Sequence, residues 1–186
     1  MGALSPMSHD KAALRITMRE LAQIRRDTRA PSRQLAKQLR DWPLWQSSGA
    51  IAAFSALPGE PDALDPWPGD KRIAMPRVCG GELMFHWVVR RADLQPGRFG
   101  ILEPAPGSPE AGNDFDLILV PALAFDLRGG RLGRGKGFYD RFLADAHGLR
   151  VGVCFEDQIV DDVPSEAHDL RMDFVVTPSA VYRCGP

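Results

Sequence analysis

Apolar and polar positions recur along this chain with two periods, and each change of period marks an element. From Ser8 to about Thr28, Leu14, Met18 and Leu21 recur at helical spacing among charges, which predicts an amphipathic helix capped by Ser8. Pro31-Ser32 opens a second helix with Leu35, Leu39 and Trp42 on its buried stripe and Pro43 as its stop. The compact run Gly49–Ser55 predicts a first central strand. Residues 58–70, with Pro58, Pro61, Pro66 and Pro68, predict an irregular loop holding at most a short helix. Arg72–Val78 and Leu83–Val89, parted by Gly80-Gly81, predict a hairpin. Residues 92–113, rich in Gly and Pro, read as mostly loop. Leu117–Val120 reads as a buried strand, about 137–147 as a helix on Phe138, Phe142 and Leu143, and Arg150–Phe155 and Phe174–Thr177 as further strands. Strands alternating with helices predict a single three-layer α/β domain over 9–186, Rossmann-like, with a mostly parallel central sheet. A helical pair precedes the sheet, and residues 1–8 are expected to be disordered.

Composition narrows the class. With 186 residues and 44% hydrophobic content the chain is long enough for one well-cored domain and short for two. The net charge of −1 is spread over interspersed acids and bases, so no global basic field suggests a nucleic-acid partner. Cys79, Cys154 and Cys184 are odd in number and lack C-x-x-C spacing, which argues for a reducing compartment and against a disulfide framework or zinc site. Cys79 and Cys154 read as small core residues in strands. No apolar run approaches membrane-spanning length, the N-terminus has no signal-like core, and Pro6 spoils a myristoylation pattern. A soluble cytoplasmic protein with no membrane partner is expected, a monomer being favoured.

The chemistry concentrates between the strand ending at Val120 and the helix near 137. That loop carries glycines at 129, 130, 133, 135 and 137 and cations at Arg131, Arg134 and Lys136. Glycine lets backbone N–H groups approach a ligand, a helix N-terminus adds free donors and partial positive charge, and the cations complete a cradle for phosphate oxygens. Gly130-x-x-x-x-Gly135-Lys136 resembles a P-loop, but Gly137 stands where the metal-binding hydroxyl belongs, so a standard P-loop NTPase is rejected. Gly133-x-Gly135-x-Gly137 also misses the Rossmann dinucleotide spacing. A solvated loop would explain glycines and cations too; its place after a buried strand and before a helix favours a ligand.

Other candidates carry a bland alternative beside the functional one. Lys11 and Arg15 share a face of the first helix, where two cations are ordinarily just solvated. Glu60 follows the first strand and can meet a ligand in the sheet crevice, or lie on a loop surface. Asp140, in a helix first turn, suits the dipole by itself; beside phosphate it makes better sense with a divalent cation between them. His168-Asp169 and Asp173 offer further ligands or form a solvated acidic loop, and His168 is assigned no metal. Phe54, Phe85, Trp87, Phe138 and Tyr139 could stack on a flat heterocycle, although aromatics beside strands are more often core; Tyr139 is the one expected to face a ligand.

The string from Pro121 to Arg141, with its Ala-Phe-Asp, Arg-Leu-Gly-x-Gly-x-Gly and aromatic-Tyr-Asp-Arg segments, resembles the 5-formyltetrahydrofolate cyclo-ligases, also called 5,10-methenyltetrahydrofolate synthetases. Most of the chain follows the family's order: Lys11 and Arg15, Glu60, Pro76-Arg77, Gly100–Pro104, Val151–Gln158, Val163-Pro164 and His168-Asp169. It departs at Ala122 for a usual Gly, at Phe138 for a usual Tyr, and at Pro61-Asp62-Ala63 for Ile-Asp-Thr, while Gly130 falls at a variable position. The resemblance implies a ligase that uses ATP and Mg²⁺ to activate the formyl oxygen of 5-formyltetrahydrofolate as a phosphate ester, after which N10 closes the 5,10-methenyl ring. It implies Lys11, Arg15, Arg131, Gly133, Arg134, Gly135, Lys136 and Gly137 at ATP, with Arg134 and Lys136 catalytic at the transferred phosphate. Glu60, Phe138 and Tyr139 would bind the folate, and Asp140 and Asp169 the metal. Two other classes compete. One is a non-ligase relative that binds RNA or another phosphorylated partner through the basic loop; the other is a sugar-phosphate isomerase or acyl-CoA transferase on a similar sheet.

Overall fold

The computed structural model describes residues 10–25, 27–97, 100–166 and 169–185, so the expectations for 1–8, Ser8 and His168 lie outside the described residues. Helix α1 spans Lys11–Ile24, and the Asp10 carboxylate caps it by accepting from the Ala12 N–H at 2.8 Å. Its predicted face meets an apolar patch of Leu123, Ala124, Leu132 and Val163, with Met18 at the centre and Leu14 and Leu21 beside it. α1 ends four residues before Thr28, because Arg25 turns to an extended backbone and its guanidinium reaches the Gly59 carbonyl and the Asp157 carboxylate. Helix α2, Arg29–Asp41, starts two residues before Pro31, whose missing N–H is harmless in a first turn. Its buried stripe is Ser32, Leu35, Ala36 and Leu39. Pro43 does stop it, then opens a short unforeseen helix, α3, Pro43–Ser47.

Seven strands form the main sheet: β1 Ala50–Ala52, β2 Arg72–Cys79, β3 Glu82–Val88, β6 Asp114–Pro121, β9 His147–Val153, β10 Phe174–Val176 and β11 Val181–Arg183. Their order is β11-β10-β9-β6-β1-β2-β3, with parallel pairing from β10 through to β2 and antiparallel pairs at both edges. Register sorts the core by face, because strand side chains alternate. Ile51, Ile73, Leu117, Leu119, Val151 and Val153 share one cluster with Leu35 and Leu39 of α2. Ala52, Ala74, Ile118 and Val120 turn to the other, where α4 (Phe138–Asp145) supplies Phe142 and Leu143. Helices therefore cover both faces of a mostly parallel sheet, as an α/β domain requires.

The predicted hairpin is present, with Gly80 and Gly81 both at positive φ in its turn. Four departures come from pairings too short to leave a periodic signal. A two-stranded sheet, β4 Leu94–Pro96 with β5 Leu102–Pro104, lies inside the expected loop 92–113. A second one, β7 Ala124–Phe125 with β8 Arg131–Leu132, interrupts the glycine loop. β11 extends the sheet beyond the expected last strand, and β1 keeps only three residues of the run 49–55. Gly152 in β9 makes room for Phe125, whose ring carbon Cε1 would lie 2.6 Å from a Cβ at that position. Gly152→Ala should overpack this contact by about 1–3 kcal/mol, lowering the melting temperature by about 2–12 °C in a chain of this size. Thermal unfolding of the purified variant checks this; an unchanged transition would mean that Phe125 has room to shift.

Candidate active site

The strand order reverses at β1: the chain runs outward to β2 and β3, then crosses to β6 on the other side and continues to β9 and β10. Open α/β sheets bind ligands outside the carboxyl ends of their strands at such a switch point. A cavity of about 270 Å³ lies there, bounded by Phe54 and Ser55 after β1 and by Pro121 and Ala122 at the end of β6. Phe54, Leu57, Pro76, Val78, Leu83 and Ile101 make an apolar wall; Arg131, Arg134 and Lys136 of the glycine loop stand among the other lining residues.

The loop holds its shape through one buried carboxylate. Asp126, 2% exposed, accepts from the N–H groups of Arg128 (2.9 Å), Gly130 (2.9 Å) and Val163 (2.8 Å). A Cβ at Gly130 would overlap an Asp126 oxygen at 2.2 Å, so close approach fixes glycine at this position. Buried Gln158 accepts from the Phe155 N–H at 2.9 Å and donates to the carbonyls of Ala122 (3.1 Å) and Leu123 (3.2 Å), tying the ends of β6 and β9 together. Gly135 and Gly137 take positive φ of 91° and 66°, and Gly137 caps α4 without a side-chain bond, leaving first-turn N–H groups open as the sequence suggested.

Three cation–carboxylate pairs mark the site. The Arg134 guanidinium donates to Glu60 Oε1 from Nη2 (2.6 Å) and Nε (3.1 Å), while Oε2 accepts from the Leu57 N–H at 3.0 Å. Arg131, its side chain 6% exposed, pairs with Asp140, and its buried Nε has no partner among the described residues. On the α1 side of the loop, Lys11 Nζ contacts Asp169 (2.6 Å) and Glu166 (3.1 Å). Partial burial works to lower the Lys11 pKa, but hydrogen bonds and charge from Asp169 and Glu166 outweigh it and hold the ammonium above its ordinary value. Arg15 Nε donates to the Gly133 carbonyl at 3.1 Å, and Arg19 Nη2 to that of Arg134 at 3.1 Å. Burial pushes the Tyr139 pKa upward, with Glu60 adding and Arg131 opposing, so the phenol stays neutral; its hydroxyl has no partner among the described residues.

Of the predicted site residues, Glu60, Arg131, Gly133, Arg134, Gly135, Lys136, Gly137, Phe138, Tyr139 and Asp140 all line the one cavity. Lys11, Arg15 and Asp169 do not line it; they gather where α1 meets the outside of the loop. The departures from the family pattern are accommodated locally. Ala122 is buried and lines the cavity, and Phe138 keeps its ring there, 5.4 Å from the Arg141 guanidinium. The Asp62 N–H donates to Ser32 of α2 at 3.0 Å and its carboxylate pairs with Arg91, so Pro61–Ala63 is anchored. Sequence reasoning assigned nothing to Asp126, Gln158 or Glu103, although each lies inside a quoted motif. Asp126 and Gln158 each join a local turn to a segment 35 to 37 residues away, and Glu103 stands out only by its place on the cavity wall.

Fold and site together define an open α/β protein that can hold an anion beside a flat apolar group. The sequence profile of the 5-formyltetrahydrofolate cyclo-ligase family matches residues 7–178, and the chain belongs to that family. A 5-formyltetrahydrofolate cyclo-ligase of Mycolicibacterium smegmatis is 41% identical over 111 residues, covering 57% of each protein. One of Escherichia coli is 30% identical over 161 residues, covering 80% of this chain and 88% of that protein. The NMR structure of an Aquifex aeolicus 5,10-methenyltetrahydrofolate synthetase aligns with a TM-score of 0.85 at 34% identity, over 93% of this chain and 92% of that one. The match thus spans less than two thirds of the M. smegmatis relative and most of the other two.

Asp126→Asn tests the loop anchor. An amide oxygen can still serve Arg128 and Gly130, but the amide NH₂ then faces the Val163 N–H, donor against donor. The expected loss is about 1–3 kcal/mol, read as a lower urea midpoint at unchanged slope. An unchanged midpoint would show that Val163 does not depend on this acceptor.

Proposed function

We propose that this chain cyclises 5-formyltetrahydrofolate to 5,10-methenyltetrahydrofolate, with ATP as phosphoryl donor and ADP and phosphate as the other products. The observation that supports this most strongly is convergence: Glu60 from the β1 exit, Arg131 and the loop 133–140 border one cavity with an apolar wall. A flat heterocycle and a phosphate can lie side by side there, and phosphoryl transfer asks mainly for positioning and charge neutralisation.

In this reading Lys11, Arg15, Arg131 and the glycine loop hold the nucleotide, and the exposed Arg134 and Lys136 meet the phosphoryl group as it moves to the formyl oxygen. Glu60 accepts from N–H groups of the folate heterocycle, Phe138 and the apolar wall cover its faces and exclude water, and the neutral Tyr139 hydroxyl donates. N10 then attacks the formyl carbon and phosphate leaves. Among the described residues no three His, Cys, Asp or Glu side chains gather to hold a metal by themselves. Mg²⁺ is commonly held by one or two carboxylates together with substrate phosphates and water, so Asp140 and Asp169 suit an ion that arrives with ATP. Such an ion would neutralise phosphate charge at the reacting phosphorus. In the free protein Arg131, Arg134 and Lys11 satisfy Asp140, Glu60 and Asp169, which keeps these charges compensated until ligands replace them.

The decisive assay follows the absorbance of the methenyl product when protein, ATP, Mg²⁺ and 5-formyltetrahydrofolate are mixed. An ATP-dependent rise is expected; its absence would favour the relative that binds RNA or another phosphorylated partner. Lys136→Ala removes a charge-assisted contact worth roughly 1.5–3 kcal/mol, so turnover should fall by about one to two decades with the melting temperature preserved. Wild-type turnover would remove this lysine from the phosphate cradle. Asp140→Asn should raise the Mg²⁺ concentration needed for half-maximal rate; it should also lower the melting temperature, since Arg131 loses its counter-charge. An unchanged Mg²⁺ dependence would leave Asp140 as a partner of Arg131 and nothing more.

A further inference from the structure

Glu103 takes no part in the contacts that hold the glycine loop or in the proposed phosphoryl transfer. It sits in β5 opposite Gln95, is 8% exposed, and lines the same cavity as the glycine loop. No hydrogen bond or ion pair reaches its side chain from the described residues, whereas the other two cavity carboxylates, Glu60 and Asp140, are each held by an arginine. The backbone makes room for it: a Cβ at Gly97 would overlap the Glu103 carboxyl carbon at 2.4 Å. Its carboxylate opens on the cavity, where a ligand N–H can take the place of solvent as its donor.

Resting on the proposed cyclisation, we infer that Glu103 accepts the N10 proton as the ring closes. The N10 lone pair forms the bond to the formyl carbon, and N10, now carrying four bonds, gives its proton to the Glu103 carboxylate. The electron pair released from that N–H bond then helps expel phosphate, which departs with the C–O pair. The product is a cation delocalised over N5, the bridging carbon and N10. Among the cavity's carboxylates Glu103 is the one not already committed to an arginine, which leaves it free to take that proton.

The test compares wild type, Glu103→Gln and Glu103→Asp, measuring ADP and methenyl product in the same reaction and melting temperature in parallel. Glu103→Gln keeps the shape and removes the base, so product formation should fall about 10²-fold, the lower range for a general base. ADP should then exceed product, because activated formyl groups that fail to cyclise are hydrolysed back to substrate and phosphate. Glu103→Asp should recover part of the rate and bring the ratio back toward one. If Glu103→Gln matches wild type, or ADP and product fall together with only the folate KM raised, the proton role is overturned. A wild-type protein that forms no methenyl product overturns the cyclisation itself, and this inference with it.

Discussion

The ion pair between Arg134 and Glu60 is the contact on which the site depends. It joins two pieces of chain 74 residues apart, the glycine loop and the exit of β1, across the cavity where the sheet changes direction. Glu60 is nearly buried and so needs donors, while Arg134 is 39% exposed and held at only one carboxylate oxygen. Such a pair is stable enough to set the loop's position and open enough for solvent or ligand to replace either partner. The pairs Arg131–Asp140 and Lys11–Asp169 repeat the arrangement on either side.

Behind these pairs lies a buried scaffold. Asp126 gathers three backbone donors, Gln158 bolts the ends of β6 and β9, and Gly152 admits the Phe125 ring against the sheet. These groups are buried, and their hydrogen bonds work where local dielectric is low. The loop cations are therefore presented from a rigid base, which is what electrostatic positioning of a phosphoryl group requires. α1 closes the outer side, with Arg15 and Arg19 donating to loop carbonyls.

Elements with many repeated apolar positions were legible from the chain alone. The stripes of α1 and α2, the Gly80-Gly81 hairpin and the strand at Leu117–Val120 all follow from period and turn chemistry. The short ladders β4–β5 and β7–β8 were not, because two or three residues carry no period and their pairing is decided by tertiary packing. The glycine loop announced itself through composition, and Glu60 through its place after a strand and through resemblance. Asp126 and Glu103 stayed silent for a different reason. A carboxylate looks the same in sequence whether it caps three N–H groups or faces a cavity alone, and Val163 lies 37 residues from Asp126. That Lys11 pairs with Asp169 was likewise invisible, although both had been chosen as candidates separately.

In the proposed reaction the two halves of the cavity are coupled through Arg134 and Glu60. If Glu60 receives the folate and Arg134 the phosphate as proposed, the first ligand to separate the pair releases the partner of the second, so the two should bind with positive cooperativity. The direct measurement is calorimetric titration of a non-hydrolysable ATP analogue with Mg²⁺, with and without saturating 5-formyltetrahydrofolate, on the wild type and on Glu60→Gln. Folate is expected to tighten nucleotide binding in the wild type by about 5-fold or more, the lower bound for typical coupling, and Glu60→Gln to abolish most of the effect. Equal nucleotide affinity with and without folate in the wild type would contradict it.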